Sequence, residues 1–391
     1  MFKKSLIAIA ALGALAGSAV AADVTVYGLV DYGFNYQHVD GDTTGVDARD
    51  GFEMRSGMNS GSRFGIKGSE DLGNGLTVGF VLENGFDADT GDLGYDGRIF
   101  GRESQVYLKG GFGTLSFGRV GQLASANGSY GLLGQTSPFS SGWGDSVGQK
   151  FVTANGWSRF DNTVTYVSPD WAGFKVHAQY SFKTDTNNEG PEGKSDTDRY
   201  YGVAATYSND SLYLVGIVDF IDYSCTNWDA AQPNPKDDQY TVTLGGNYDF
   251  GFMKLYGMAQ YFDNAKAIGQ KSIYHDGTFG GGYTYNGTPG WDSAKGYGVA
   301  IGVGVPAFGG TAKASIGYLD AESQGNAVLS AAHQDGGLTR WNVSVGYDYN
   351  LSKRTSVYTA AAYTKDDCTD YNGFDREPST IEVMAGLIHK F

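Results

Sequence analysis

From residue 23 onward, polar and apolar side chains alternate with a period of two, over segments far more regular than a loop would be. In VTVYGLVDYGF, Val24, Val26, Val30, Tyr32 and Phe34 share one face, while Thr25, Tyr27, Asp31 and Asn35 share the other. LTVGFVLEN sets Leu76, Val78, Phe80 and Leu82 against Thr77, Gly79 and Glu83. GFKVHAQYSFK does the same with Phe174, Val176, Ala178, Tyr180 and Phe182 against Lys175, His177, Gln179 and Lys183. Near the end, Trp341, Val343, Val345, Tyr347, Tyr349 and Leu351 oppose Arg340, Asn342, Ser344 and Asp348. Successive side chains of a strand point to opposite faces, so these runs predict long strands with one apolar and one polar side.

The punctuation between strands alternates too. Tight links fall at residues 71–75, 110–113, 168–173, 209–210, 249–251, 306–310 and 350–354, rich in Gly, Asn, Asp and Pro. Between them lie long polar stretches at 185–197, 224–238, 264–294, 322–337 and 366–378. One end is therefore trimmed and the other elaborate. The count comes to about sixteen strands, an even number within the range of outer-membrane barrels. A soluble sandwich also alternates, but strands of about ten residues match a tilted membrane crossing. Tyr and Phe recur at strand ends, where amphipathic rings favour the membrane interface, and closure removes the many exposed edges an open sheet would leave. The expected fold class is all-β, a transmembrane antiparallel β-barrel over residues 22–391.

Residues 1–22 break the pattern. MFKKSLIAIAALGALAGSAVAA carries a charged head at Lys3 and Lys4, an apolar stretch from Leu6 to Leu15 and a small-residue motif at Ala19, Val20 and Ala21. Its apolar core falls short of the ~20 residues that a helical span needs, so it reads as a signal peptide cleaved after Ala21. Its removal takes the formal charge from −15 to −17.

Composition sharpens the class. Sixty Gly, 27 Tyr and 22 Phe against 8 Pro suit sheets and turns rather than a helix bundle. A mean hydropathy of −0.30 opposes a polytopic helical membrane protein. An acidic excess of this size also disfavours nucleic acid as a partner. Cys225 and Cys368 lie in polar loop sequence, and their pairing in an oxidising compartment stays open.

Little in the chain suggests an enzyme, a cofactor or a metal centre. The five histidines, His38, His177, His275, His333 and His389, lack a ligand spacing, and no HExxH occurs. GVGVPA at residues 302–307 fits a loose dinucleotide pattern, but Ala312, Ala314, Ile316 and Tyr318 then alternate as a strand where phosphate binding requires a helix.

The motifs, in their order, resemble the general diffusion porins of Gram-negative outer membranes. They are VTVYGLVDYGF, SRFGIKGSEDLGNGLTVGFVLENGFD at 62–87, FGRESQVYLKGGFGTLSFGR at 100–119, RFDNTVTYVSPDWAGFKVHAQY at 159–180 and the terminal AGLIHKF. The resemblance implies a homotrimer of 16-stranded barrels embedded in outer-membrane lipid, with the first and last strands near the subunit contacts. It implies a third external loop folded into each pore, which falls on residues 120–158. Ile381, Val383, Ala385, Leu387, His389 and Phe391 alternate to an aromatic end, which resembles the signal read by the outer-membrane assembly machinery. The implied function is a water-filled channel for passive diffusion of small hydrophilic solutes and ions. A solute-specific channel for a sugar or carboxylate, and a barrel used for surface adhesion, are the alternatives.

Parity then selects wall residues. Phe64 and Ile66 belong to the lipid face, so Arg63 and Lys67 point into the lumen. Glu83, Lys109, Arg159, Asp161 and Lys175 follow by the same argument, and Asp145 is the best acid of the 120–158 segment. Arg102 and Arg119 share parity with lipid-face neighbours and would face outward unless a bulge or strand end redirects them; Arg102 is kept as a constriction candidate. Each of these charges can equally be ordinary lumen solvation. Lumen bases attract anions whereas acid-rich outer loops attract cations, so the sign of ion preference stays open.

Overall fold

The computed structural model describes residues 23–42, 47–154, 158–187, 191–194, 197–223, 238–266, 268, 293–324, 336–369 and 375–391. The expected leader lies outside these residues, as does Cys225; Cys368 is buried.

The first nine strand segments are β1 (Asp23–Asp40), β2 (Arg49–Ser56), β3 (Arg63–Gly73), β4 (Leu76–Gly85), β5 (Glu103–Gly110), β6 (Gly113–Gly121), β7 (Arg159–Val167), β8 (Phe174–Ser181) and β9 (Arg199–Ser208). They continue as β10 (Leu212–Asp222), β11 (Gln239–Asp249), β12 (Lys254–Ala265), β13 (Ser293–Ala307), β14 (Gly310–Gln324), β15 (Gly337–Asn350), β16 (Thr355–Thr369), β17 (Asp375–Arg376) and β18 (Ser379–Lys390). All pair antiparallel in one sheet. Two strands are interrupted. β2 pairs with residues 32–39 of β1 and β3 with residues 23–29, so together they make a single strand beside β1. β17 and β18 likewise share β16 as partner. Eighteen segments thus form sixteen strands.

The sheet closes where β1 meets β18, in a register running from Leu29 opposite Lys390 to Asp40 opposite Ser379. Phe391 and Gly28 exchange main-chain hydrogen bonds at the end of this seam. Closure gives each of the sixteen strands a neighbour on both sides, the condition for crossing a hydrocarbon layer with strands. The seven tight links expected from the sequence are the hairpin turns β3–β4, β5–β6, β7–β8, β9–β10, β11–β12, β13–β14 and β15–β16.

Exposure along the strands is inverted relative to a soluble protein. Val26, Ile301 and Val345 are 66%, 62% and 52% exposed, whereas Asp31, Asn342 and Ser344 are at 1% or less. The apolar face looks outward and the polar face inward, as a lipid-embedded barrel requires.

The buried apolar clusters form mainly where residues 120–154 meet the inward face of the wall. Leu123, Ala124, Tyr130 and Leu133 pack with Ala204, Tyr213, Val215 and Ile217. Phe139, Trp143 and Val147 pack with Tyr358, Ala360, Ala362 and Met384. Val152 and Ala154 pack with Met258, Phe262, Ala300 and Leu319. The wall makes room at Gly298, where a Cβ would lie 1.7 Å from the Val152 carbonyl oxygen. Polar contacts fix the same seat: Gly148 N–H donates to Ser344 Oγ at 3.2 Å, Asn342 Nδ2 to the Ser146 carbonyl at 2.6 Å, and Ala154 N–H to Gln260 Oε1 at 2.7 Å.

Candidate functional site

The inward face leaves open a cavity of about 910 Å³. Among the described residues lining it, the basic side chains are Arg55, Arg63, Lys67, Arg102, Arg119, Lys150 and Arg159, against Glu83, Glu103 and Asp145. Seven cations thus face three carboxylates inside an acidic protein.

Strand pairing builds the cluster. β3 carries Arg63 and Lys67, and Arg63 sits opposite Gly85 at the end of β4, two residues beyond Glu83. Glu83 accepts a hydrogen bond from Arg102 Nε at 2.6 Å and another from the Tyr27 hydroxyl at 3.0 Å, with Arg63 Nη1 at 3.9 Å. Lys67 Nζ lies 5.2 Å from the centre of the Tyr27 ring. Glu103 accepts from the Ser129 backbone N–H at 2.6 Å and from its hydroxyl at 2.9 Å, tying the start of β5 to the 120–158 segment.

Asp145 lines the cavity, but its charge is already engaged. Arg55 donates to both its oxygens, at 2.6 and 2.7 Å, the bidentate geometry of a strong guanidinium–carboxylate pair. Glu382, fully buried on β18, accepts the backbone N–H groups of Asp145 and Ser146 and so holds this stretch against the wall. Arg55 lies opposite in parity to the exposed Phe52 and Met54, a signal the sequence carried.

The two arginines that parity pointed outward both turn inward, for two different reasons. Arg102 precedes β5, so strand alternation does not bind it. Arg119 lies in β6, where the register with β7 shifts between Gly118 and Val120 and Gly118 adopts a φ of 132°. That bulge re-aims the side chain, and Arg119 Nη1 donates to Asp161 Oδ1 at 2.6 Å.

Asp161 is held as a junction rather than facing the cavity. It accepts from Arg98 at 2.8 and 2.9 Å, from Arg119, and from the Thr186 backbone and hydroxyl at 2.8 Å. Lys109 and Lys175 stand apart from the cavity lining. Lys109 pairs in register with Thr77 and Thr114 near the β5–β6 turn, and Lys175 Nζ lies 3.4 Å from Asp170 in the β7–β8 turn.

Two sequence runs that mimic enzyme motifs are accounted for by the fold. Residues 302–307 belong to β13 and pass into β14 through a hairpin. Residues 144–148 read GDSVG, a Gly-x-Ser-x-Gly run, but Trp143 and Val147 pair there as an isolated bridge and Ser146 is buried against Glu382. The nucleophile of that motif needs a strand-to-helix elbow, which is missing from this stretch.

A closed barrel with an apolar exterior and a polar, charged interior is a membrane-spanning channel. The comparisons give the family. Residues 8–369 match the family described as Gram-negative porin, and the chain belongs to it. It is 33% identical to an outer membrane porin protein of Bordetella pertussis, with all of both chains covered. It is 30% identical to the outer membrane porin protein 32 of Delftia acidovorans, covering 98% of this chain and 93% of that one. Among solved structures it resembles the anion-selective porin from Comamonas acidovorans with a TM-score of 0.64 at 24% identity, covering 95% of this chain and all of that one. The trimer form of OmpT of Vibrio cholerae aligns with a TM-score of 0.55 at 16% identity, covering 95% of this chain and all of that one. The protein is therefore an outer-membrane porin, a multi-pass β-barrel of a family whose members are channels for passive diffusion rather than enzymes.

Proposed function

We propose that this porin passes small hydrophilic solutes through a constriction made by residues 120–158 and that it prefers anions. One observation carries the preference. Of the three acids lining the cavity, Glu83 is bound by Arg102, Asp145 by Arg55, and Glu103 accepts from Ser129; Arg119 pairs with Asp161, so Arg63, Lys67 and Arg159 stand as charge in excess of these pairs. Acids of the long loops act at the mouth and are screened beyond about 8 Å in physiological salt, whereas the cations line the narrow space itself. Arg63 and Arg159 are the chief selectivity residues of this reading, with Lys67 beside them. Glu83, Arg102 and Asp145 set their spacing. Asp161 holds the neighbouring loops in place, and Lys109 and Lys175 charge the short-turn end.

The leader at residues 1–21 is cleaved on export, and the mature chain assembles as a homotrimer in outer-membrane lipid. Phe391, seated at the β1–β18 seam, is the residue offered to the assembly machinery. The channel works without covalent chemistry.

Reversal potentials across a planar bilayer in a KCl gradient test the preference. The expected sign is that of chloride permeating faster than potassium; the opposite sign overturns the reading.

A further inference from the structure

We propose that Tyr95 is a positioning residue for ion selectivity: its phenol is the shared acceptor that holds the Arg102 and Arg159 guanidinium groups side by side in the cavity. The proposal rests on the reading of an anion-preferring constriction and deepens it.

Tyr95 lies between β4 and β5, in a stretch where no periodicity marks it. Its backbone takes φ 57° and that of Asp96 takes φ 59°, a left-handed conformation uncommon for an aromatic residue. Such strain persists where the surroundings over-determine it. Here the ring is seated between two glycines. A Cβ on Gly101 would lie 2.4 Å from Tyr95 Cβ, and one on Gly85 would lie 2.6 Å from Tyr95 Cε2. No larger residue fits at either place while the ring stays.

The seated phenol meets both cations. Arg102 Nη1 and Arg159 Nη1 each donate to the Tyr95 oxygen at 3.0 Å. The Arg159 and Arg102 guanidinium carbons lie 5.0 and 6.0 Å from the ring centre, within the range of cation–π attraction. Arg159 Nε is buried without a hydrogen-bond partner, and among the described residues no carboxylate pairs with Arg159. Arg159 is thus kept beside Arg102 by an oxygen and a π-face rather than by an acid, and because Glu83 offsets only Arg102, the charge of Arg159 remains available to a passing anion.

The groups facing the phenol are Arg63 from β3, Glu83 from β4, Arg102 and Arg159 from β7. Burial pushes the phenol up, yet the guanidinium groups of Arg159, Arg102 and Arg63 outweigh burial and hold it below its ordinary value. In alkali a phenolate would cancel one cation at this spot.

The test compares wild type with Tyr95→Phe, which keeps the ring and removes both the acceptor and the titration. Chloride-to-potassium permeability ratios are measured in planar bilayers from pH 7 to 10.5. The wild-type ratio is expected to fall about two-fold more than that of Tyr95→Phe across this range, because only the wild type gains a phenolate beside the guanidinium groups. Superimposable pH curves would overturn the assignment. Gly101→Ala, which displaces the ring with its hydroxyl intact, is expected to bring the pH 7 ratio to that of Tyr95→Phe; a wild-type ratio counts against the proposal. Potassium preference in the wild type at pH 7 would refute the anion reading alone, because the difference between the two pH curves does not depend on that sign.

Discussion

The two sides of the barrel's interior solve different problems. On the wall from β1 to β7, Arg63, Lys67 and Glu83 face a cavity open to solutes. On the wall from β9 to β16, Val215, Ile217, Met258, Ala300, Leu319, Ala360 and Ala362 point inward and are buried under residues 123–154. The second region packs as the core of a soluble protein does, although it lies inside a barrel whose outside is apolar as well. A channel needs only part of its interior wet. The remainder can anchor residues 123–154, and close packing makes that segment a fixed wall rather than a loose flap.

Breaking the dry side should cost the most. Arg340 is fully buried, donates to both oxygens of Asp366 at 2.7 Å and reaches the Phe151 carbonyl. Arg340→Ala would strand the Asp366 carboxylate, with an expected loss of about 4 kcal/mol in the unfolding of detergent-solubilised protein. Phe139→Ala removes a ring packed edge-on to Trp143 at 5.2 Å between centroids. Denaturant titration should show a loss of about 3 kcal/mol, and single-channel records should become noisier as the segment loosens.

Changes on the wet side should spare stability and move selectivity. Arg63→Gln with Arg159→Gln is expected to cut the chloride-to-potassium permeability ratio several-fold in 0.1 M KCl, with the difference shrinking toward 1 M as screening shortens to about 3 Å. Arg55→Gln should lower the same ratio by less than two-fold, because it exposes the Asp145 carboxylate without removing the main cluster. The smallest effect is expected at the rim. Lys365 and Glu377 form an ion pair on the exposed surface, and Glu377→Gln should leave the melting temperature within the scatter of repeat scans.

Sequence parity found the open side because it is governed by local alternation. Phe64 and Ile66 gave Arg63 and Lys67 their direction, and the same logic applied to Phe52 and Met54 would have found Arg55. It failed wherever the chain leaves regular pairing. Arg119 is turned by the Gly118 bulge, Arg102 stands just ahead of a strand, and Tyr95 reaches the cavity from a loop with left-handed backbone. The dry side was hidden for another reason. On β10, Val215 and Ile217 look inward while Leu214 and Phe220 look outward, so that strand is apolar on both faces and alternation carries little contrast.

The period of two, the alternation of short and long links, and the count near sixteen follow from how a strand presents its side chains, so local order along the chain was enough to specify a closed membrane barrel. Which charges meet across the interior depends on contacts between residues far apart in sequence, such as Arg55 with Asp145, Arg102 with Glu83 and Glu382 with the backbone of Ser146. No local period encodes those distances. Closure of the sheet and the seating of one long segment against its inner wall bring them together, and that tertiary step alone gives the channel its cationic face.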